Sequence, residues 1–302
     1  MNPWILKNTA MKNIFIVLVI LLFTMSFKTG NVQMKISRTY SLDSLGACQG
    51  VSCINGRIFL YGDRETGILR EYKLKNDFLI RVNKECRFTI DGKDVINHPT
   101  GIANRNNKLT FIGNSVRLNM EGTKWKAMIY CINWEGFLKT GTLDGNLNRV
   151  IEDDACIQGT RPEYVKYKNK VYVATSDYGN HGNEVRLYNP DLLSKCNKTS
   201  DKGVLEKKFK CSPWVQNLHW IPEKGWLVLI QNQIEGRKWR FTYLDLEKSV
   251  DSGKEVILKT VDIEDKQDEL EGFTFVGIDP ATGIAVTSFR KNNVSIMKIN
   301  YR

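Results

Sequence analysis

Apolar and polar positions alternate with a period of two along most of the chain, in short runs broken by Asn, Gly, Asp and Pro, which predicts strands joined by tight turns. Five stretches repeat one phrase: QGVSCINGRIFLYGD from Gln49, TGIANRNNKLTFIGN from Thr100, EYVKYKNKVYVATSD from Glu163, NLHWIPEKGWLVLIQ from Asn217 and EGFTFVGIDPATGIAVTS from Glu271. Each reads as two strands around a turn built on NG, RNN, KN, PEKG or DPATG, residues that accept left-handed or proline-fixed backbone. The starts lie 51, 63, 54 and 54 residues apart, a spacing typical of propeller or solenoid repeats.

Further strand-like stretches follow each pair, such as GILREYKL, KAMIYCINW, EVRLYNP, RKWRFTYLDL and NVSIMKINY. A fourth is expected after them, for example GFLKTGTL or EVILKTVDI. Four antiparallel strands per repeat is a propeller blade. The last unit reaches Arg302 with three strands, while VQMKISRTYSL, residues 32–42, has no partner at the start. Joining them closes a ring and removes an open edge. The prediction is an all-β, five-bladed propeller over residues 31–302, with an N-terminal strand completing the last blade.

Residues 1–30 stand outside this pattern. Lys12 and Asn13 precede IFIVLVILLFTMSF, the length of a signal-peptide core and short of the ~20 residues that span a bilayer. Export is expected, with cleavage after Ser26, to a secreted or periplasmic location; membrane anchoring by an uncleaved segment is the alternative. Met11 offers a second start. The formal net charge is +11, and removing Lys7 and Lys12 with residues 1–26 leaves +9. The lysines are scattered over turns and strand exteriors, without the basic stripe and interleaved aromatics of a nucleic-acid binder, so no nucleic-acid partner is expected. Seven cysteines in an exported chain suggest oxidation. Cys196 and Cys211 flank the polar insert NKTSDKGVLEKKFK and are a candidate bridge, whereas Cys131 reads as a small buried hydrophobe.

Function is expected where the first strand of each blade begins, because the loop after the second strand returns to that face. Gln49, Thr100, Glu163, Asn217 and Glu271 would ring the channel there, with Asp63, Asn114, Asp177, Gln231 and Ser288 outside them. His98 and Arg161 lie two residues before their ring positions, and His181 sits in the loop DYGNHGNE. Wet channel ends are polar in any case, so this ring also fits simple solvation. His219, between Leu218 and Trp220, is expected to pack between blades. The candidate ligand-binding residues are therefore Gln49, Asp63, His98, Thr100, Asn114, Arg161, Asp177, His181, Asn217 and Gln231, facing a small molecule such as a sugar. Glu163 and Glu271, with neutral oxygen donors between them, would suit a hard cation such as calcium. No Ser-His-Asp spacing, phosphate loop or zinc pattern is present.

NGRIFLYGDRETGILREYKL, with a terminal EGFTFVGIDPATG, resembles exported propellers of the gluconolactonase and strictosidine-synthase-like group and the five-bladed calcium-dependent nucleotidases. The resemblance implies a calcium ion in the channel, at Glu163 and Glu271, and a hydrolase of lactonase, nucleotidase or glycosidase type as the alternative to a binding protein. The nucleotidases' arginine cluster is matched here only by the dispersed Arg64, Arg117, Arg161 and Arg290.

Overall fold

The computed structural model describes residues 32–43, 45–63, 66–82, 85–105, 109–180, 182–234, 238–276 and 282–301. Five antiparallel sheets form five blades around a channel. Blade one runs Cys48–Ile54, Arg57–Gly62, Ile68–Lys75 and Phe78–Arg81; blade two runs Pro99–Arg105, Leu109–Arg117, Trp125–Ile132 and Leu147–Glu152. Blade three runs Glu163–Tyr167, Lys170–Ser176, Glu184–Tyr188 and Leu205–Lys210; blade four runs Val215–Ile221, Trp226–Ile234, Lys238–Asp245 and Ile257–Ile263. Blade five holds Leu270–Phe275, Thr282–Thr287, Val294–Tyr301 and, outermost, Val32–Tyr40. The innermost strands touch one another around the ring. The face where they begin is the upper face below, and the opposite one the lower face. The N-terminal segment expected to direct export or anchoring lies outside the described residues.

Closure is as the sequence predicts. Val32–Tyr40 pairs antiparallel with Val294–Tyr301, from Val32 opposite Tyr301 to Tyr40 opposite Val294, with one irregularity between Ile36 and Arg38. Alternate residues face inward: Val32 is buried, and Met34 and Ile36 pack on the core shared by blades four and five. Ser37 Oγ donates to the Ile296 carbonyl at 3.1 Å. The seam between blades five and one is equally tight, because a Cβ on Gly272 would lie 2.7 Å from the Gly50 Cα. Backbone that close leaves no room for a side chain.

The expected fourth strand GFLKTGTL is a helix. Asn133 Oδ1 caps it by accepting from Gly136 N at 3.1 Å, Trp134 and Phe137 bury one face at helical spacing, and Gly141 closes it in left-handed backbone. The outer strand of blade two is Leu147–Glu152 instead. In blade one the outer edge is split, since Cys86–Arg87 also pairs with the third strand. Cys196 and Cys211 are not bridged. Cys196 packs in the core between blades two and three and Cys211 against that between three and four, on opposite faces of blade three. Cys131 is buried in the apolar core, as read from the sequence.

Two outcomes follow for stability. Deleting residues 32–40 removes at least the ~2 kcal/mol of burying Val32 and bares a strand edge; the truncated chain should melt lower and self-associate on gel filtration. A monomer melting with the intact chain would contradict closure. Gly272→Ala should cost about 1–3 kcal/mol in denaturant titration, since the neighbouring atoms are backbone that cannot swing aside.

Candidate functional site

The pairing register assigns each channel residue a depth. Gln49, Thr100, Gln216 and Glu271 are each the extra residue of a β-bulge at the start of an inner strand. The inner strand pair of blade three has no bulge: Glu163 faces Ala174 and Thr160 bridges to Asp177. Arg161 therefore occupies the bulge level there. These five polar side chains are each no more than 6% exposed. Further down the channel, Ser52, Ala103, Glu163, His219 and Thr274 form a second level, opposite Phe59, Phe111, Ala174, Val228 and Ile284 of the second strands. Without a bulge, blade three reaches this level one residue early, which is why the sequence register misplaces Glu163.

The upper level is occupied with holding the blades together. Asp63 accepts from Ala47 N at 3.1 Å, Gln49 Nε2 at 3.2 Å and His98 Nδ1 at 3.1 Å. Asn114 Oδ1 accepts from His98 N at 2.9 Å, and Asp177 accepts from Ile157 N and Gln158 N at 2.8 and 3.0 Å. Gln231 Nε2 donates to the Pro213 carbonyl at 2.7 Å. The end of the second strand thus fastens the segment leading into the first in four blades. Thr100 Oγ1 donates to the Thr160 carbonyl. Arg161 donates through Nε and Nη2 to Gln216 O and Oε1 at 3.2 and 2.8 Å, with Tyr178 under its guanidinium. Burial lowers its pKa against the opposing pull of Asp177 and Glu271. Burial, then the Glu269 carboxyl, raises Glu271 well above the usual carboxylate range.

The lower level opens into a cavity of about 440 Å³. Its polar lining includes Ser52, Asn104, Glu163, Asn217, His219 and Thr274, and Trp220, Pro222 and Phe273 supply apolar wall. Burial with no cation beside it pushes the Glu163 carboxyl up to about 8, against one hydrogen bond from Tyr164 N at 2.8 Å. Burial likewise pulls His219 down to about 4, its ring set edge-on to Phe275 at 4.9 Å. Both groups are thus largely uncharged at neutral pH. The Tyr61 ring lies over Gly50, with its hydroxyl facing Ser52 and Asn217. Among the described residues, Asn104 Oδ1 is buried at this end without a hydrogen-bond partner, as are Arg161 Nη1, Asn114 Nδ2 and Asn232 Nδ2 on the upper face. Buried polar atoms are nearly always paired, so both ends of the channel carry unmet hydrogen-bonding capacity.

The sequence-predicted residues therefore divide. Gln49, Asp63, His98 and Asn114 meet on the upper face, as do Arg161 and Asp177 beside them; Gln231 is tied to its own linker. Asn217 and Glu163 belong to the lower cavity, and His181 lies outside the described residues. Glu163 and Glu271 are not brought together. They sit on different levels, and neither is among the charges acting on the other. Among the described residues no three His, Cys, Asp or Glu converge as metal ligands. The residues sequence reasoning missed are Ser52, Asn104, Trp220 and Thr274, whose signal was polar or aromatic side chains at the far ends of the inner strands.

No protein-family model matches the chain, and no curated protein matches it. Among solved structures, glutaminyl cyclase from Myxococcus xanthus superimposes with a TM-score of 0.54 at 11% identity, over 89% of this chain and 97% of that one. The likeness is one of fold. Hydrazine synthase of Kuenenia stuttgartiensis (9% identity, TM-score 0.42, 84% of this chain and 59% of that one) and the C-terminal WD40 domain of Sif2 (8%, 0.41, 88% and 98%) are more distant. These comparisons show the propeller, and they do not show the resemblance to gluconolactonases, strictosidine-synthase-like proteins or calcium-dependent nucleotidases.

The two perturbed groups set opposite pH dependences. Glu163 holds its proton to about 8 when folded and releases it near 4.5 when unfolded, so stability falls as pH rises between those values. His219 binds its proton near 6.5 unfolded but only near 4 folded, so its contribution is present above 6.5 and lost on acidification toward 4. They oppose each other below pH 6.5, leaving Glu163 alone from 6.5 to 8. In that window Glu163→Gln should gain on wild type by roughly 1.4 kcal/mol per pH unit in denaturant titration. Parallel wild-type and variant curves would show that the carboxyl ionises normally.

Proposed function

We propose that this chain is an exported binding propeller whose lower cavity takes one small, uncharged polar unit, a sugar ring or an amide-sized group. The observation that carries this is a cavity walled by Trp220 and Phe273 and lined by Ser52, Glu163, Asn217 and Thr274, with Asn104 Oδ1 buried and, among the described residues, unpartnered at its edge. Concave, mostly apolar sites with a few placed polar groups are the usual form of small-ligand sites. Glu163 in its protonated form supplies a donor, and a charged ligand would meet no opposite charge from Glu163 or His219.

Screening neutral monosaccharides and small amides by thermal shift and tryptophan fluorescence tests this. A ligand that binds only the folded state raises its melting point. The expected hit stabilises wild type, is lost with the cavity-filling Ser52→Trp, and weakens at least tenfold in Glu163→Ala. Glu163→Gln, which keeps the donor, should bind within about threefold of wild type at pH 6 and no longer weaken above pH 8. Equal stabilisation of wild type and Ser52→Trp, or no hit, would count against the site.

The same carboxyl favours a second reading. A group titrating near 8 exchanges its proton close to neutral pH, as general acid–base catalysis requires, and the Myxococcus glutaminyl cyclase with this fold is named for a cyclisation. In this reading Glu163 moves a proton in a bound substrate, and Glu163→Gln would bind substrate and fail to turn it over. The calcium-dependent hydrolase expected from resemblance gives no step here, since its two carboxyls lie on different levels.

A further inference from the structure

The lower cavity does not end at the channel. A second cavity of about 410 Å³ lies beside it, and Arg105, Tyr164 and Val171 line both. Tyr164 is fixed by donating its hydroxyl to the Leu109 carbonyl at 3.0 Å, so its half-buried ring is a shared wall. The second cavity leads outward between blades two and three, past Lys170 and Asn189. Arg105 is exposed at the junction and Lys166 on the inner cavity, and among the described residues neither has an acidic partner within ion-pair reach. Lys170 is held at 2.6 Å by Glu206, and Asp191 also lines the outer cavity. Of the residues that line both cavities, Arg105 is the charged one.

We propose that the uncharged unit in the lower cavity is the end of an acidic oligosaccharide, with its next unit in the outer cavity and that unit's carboxylate or sulfate against Arg105. The inference rests on the binding reading above. Two adjoining cavities of similar size fit two linked units better than one compact ligand. The inner one spreads hydroxyl and amide groups from four blades, Ser52, Asn104, Asn217 and Thr274, around a unit flanked by the Trp220 ring. That arrangement suits a ring bearing hydroxyls on its perimeter and an apolar face. A peptide terminus would carry full charge into a cavity whose Glu163 and His219 are largely uncharged. The guanidinium of Arg105 can take an anionic oxygen pair two at a time, and it stands at the wall shared by the two cavities.

Two commercial sugar series test this with the intact mature chain: galactose, lactose and lactobionate, and glucose, cellobiose and cellobionate. Each acid has a neutral terminal ring and a carboxylate on the second unit. By calorimetry at low salt, at least one acid should bind tenfold or more tighter than its parent disaccharide. Arg105→Gln should remove that advantage while leaving the neutral disaccharide within twofold, and added salt should erode it in wild type. Equal affinity for acid and parent, or an advantage that survives Arg105→Gln, overturns the proposal, as does an acidic dipeptide outbinding every sugar. If monosaccharides bind in a Glu163-dependent way but the acids gain nothing, only the second unit is wrong. If no sugar binds, or Glu163→Ala changes nothing, the sugar form of the binding reading falls as well.

Discussion

The ring depends on one antiparallel pairing, that of Val32–Tyr40 with Val294–Tyr301. Five blades arranged in a circle bury their faces against one another only if the first and last meet. Here blade five brings its inner strand against blade one through Gly272 and Gly50, and the N-terminal strand supplies its outer edge. The first and last described strands are thereby locked into one sheet, which joins residues far apart in sequence. Every channel level described above, with one residue contributed by each blade, presupposes that this circle is shut.

Given a closed ring, the bulges decide what each level does. In four blades one extra residue at the start of the inner strand presents a polar side chain at the upper level, and bulges commonly re-aim side chains in this way. Blade three omits the extra residue and puts Arg161 there instead. The consequence appears further down. Glu163 arrives at a depth where the other blades carry Ser52, Ala103, His219 and Thr274, and it is the one carboxyl of that level. A missing residue in one strand thus delivers an acid to the wall of the cavity.

The repeat, the blade count and the closing strand were legible because they rest on alternation, turn residues and spacing, which local sequence encodes directly. The site was only half legible. A bulge leaves no compositional mark, so aligning the five phrases by their first polar residue put Glu163 beside Glu271 and Asn217 beside Gln49, and a shared metal then looked natural. The long loops and polar strand ends of the upper face drew attention there, yet Asp63, Asn114, Asp177 and Gln231 are engaged in fastening linkers. The helix Trp134–Thr140 was hidden for a similar reason: GFLKTGTL has strand-like content, and only Asn133 before it and the Trp134 and Phe137 spacing show the cap and the buried face.

The two ends of the channel differ in the charge they hold. At the upper end the buried Arg161 is braced by Gln216 and drawn by Asp177, although its Nη1 and the amide nitrogens of Asn114 and Asn232 stay unpartnered among the described residues. At the lower end burial holds Glu163 and His219 uncharged, and Asn104 Oδ1 is buried without a partner. Such groups destabilise a fold unless something offsets them. An apolar residue at position 163 would pack against Phe273-like walls at no such penalty, so a carboxyl there works against stability on its own. Sequences that satisfy local rules elsewhere tend to break them at functional sites. By that logic the lower cavity, whose acid is paired with no basic side chain among the described residues, is a place where a bound molecule would complete the structure.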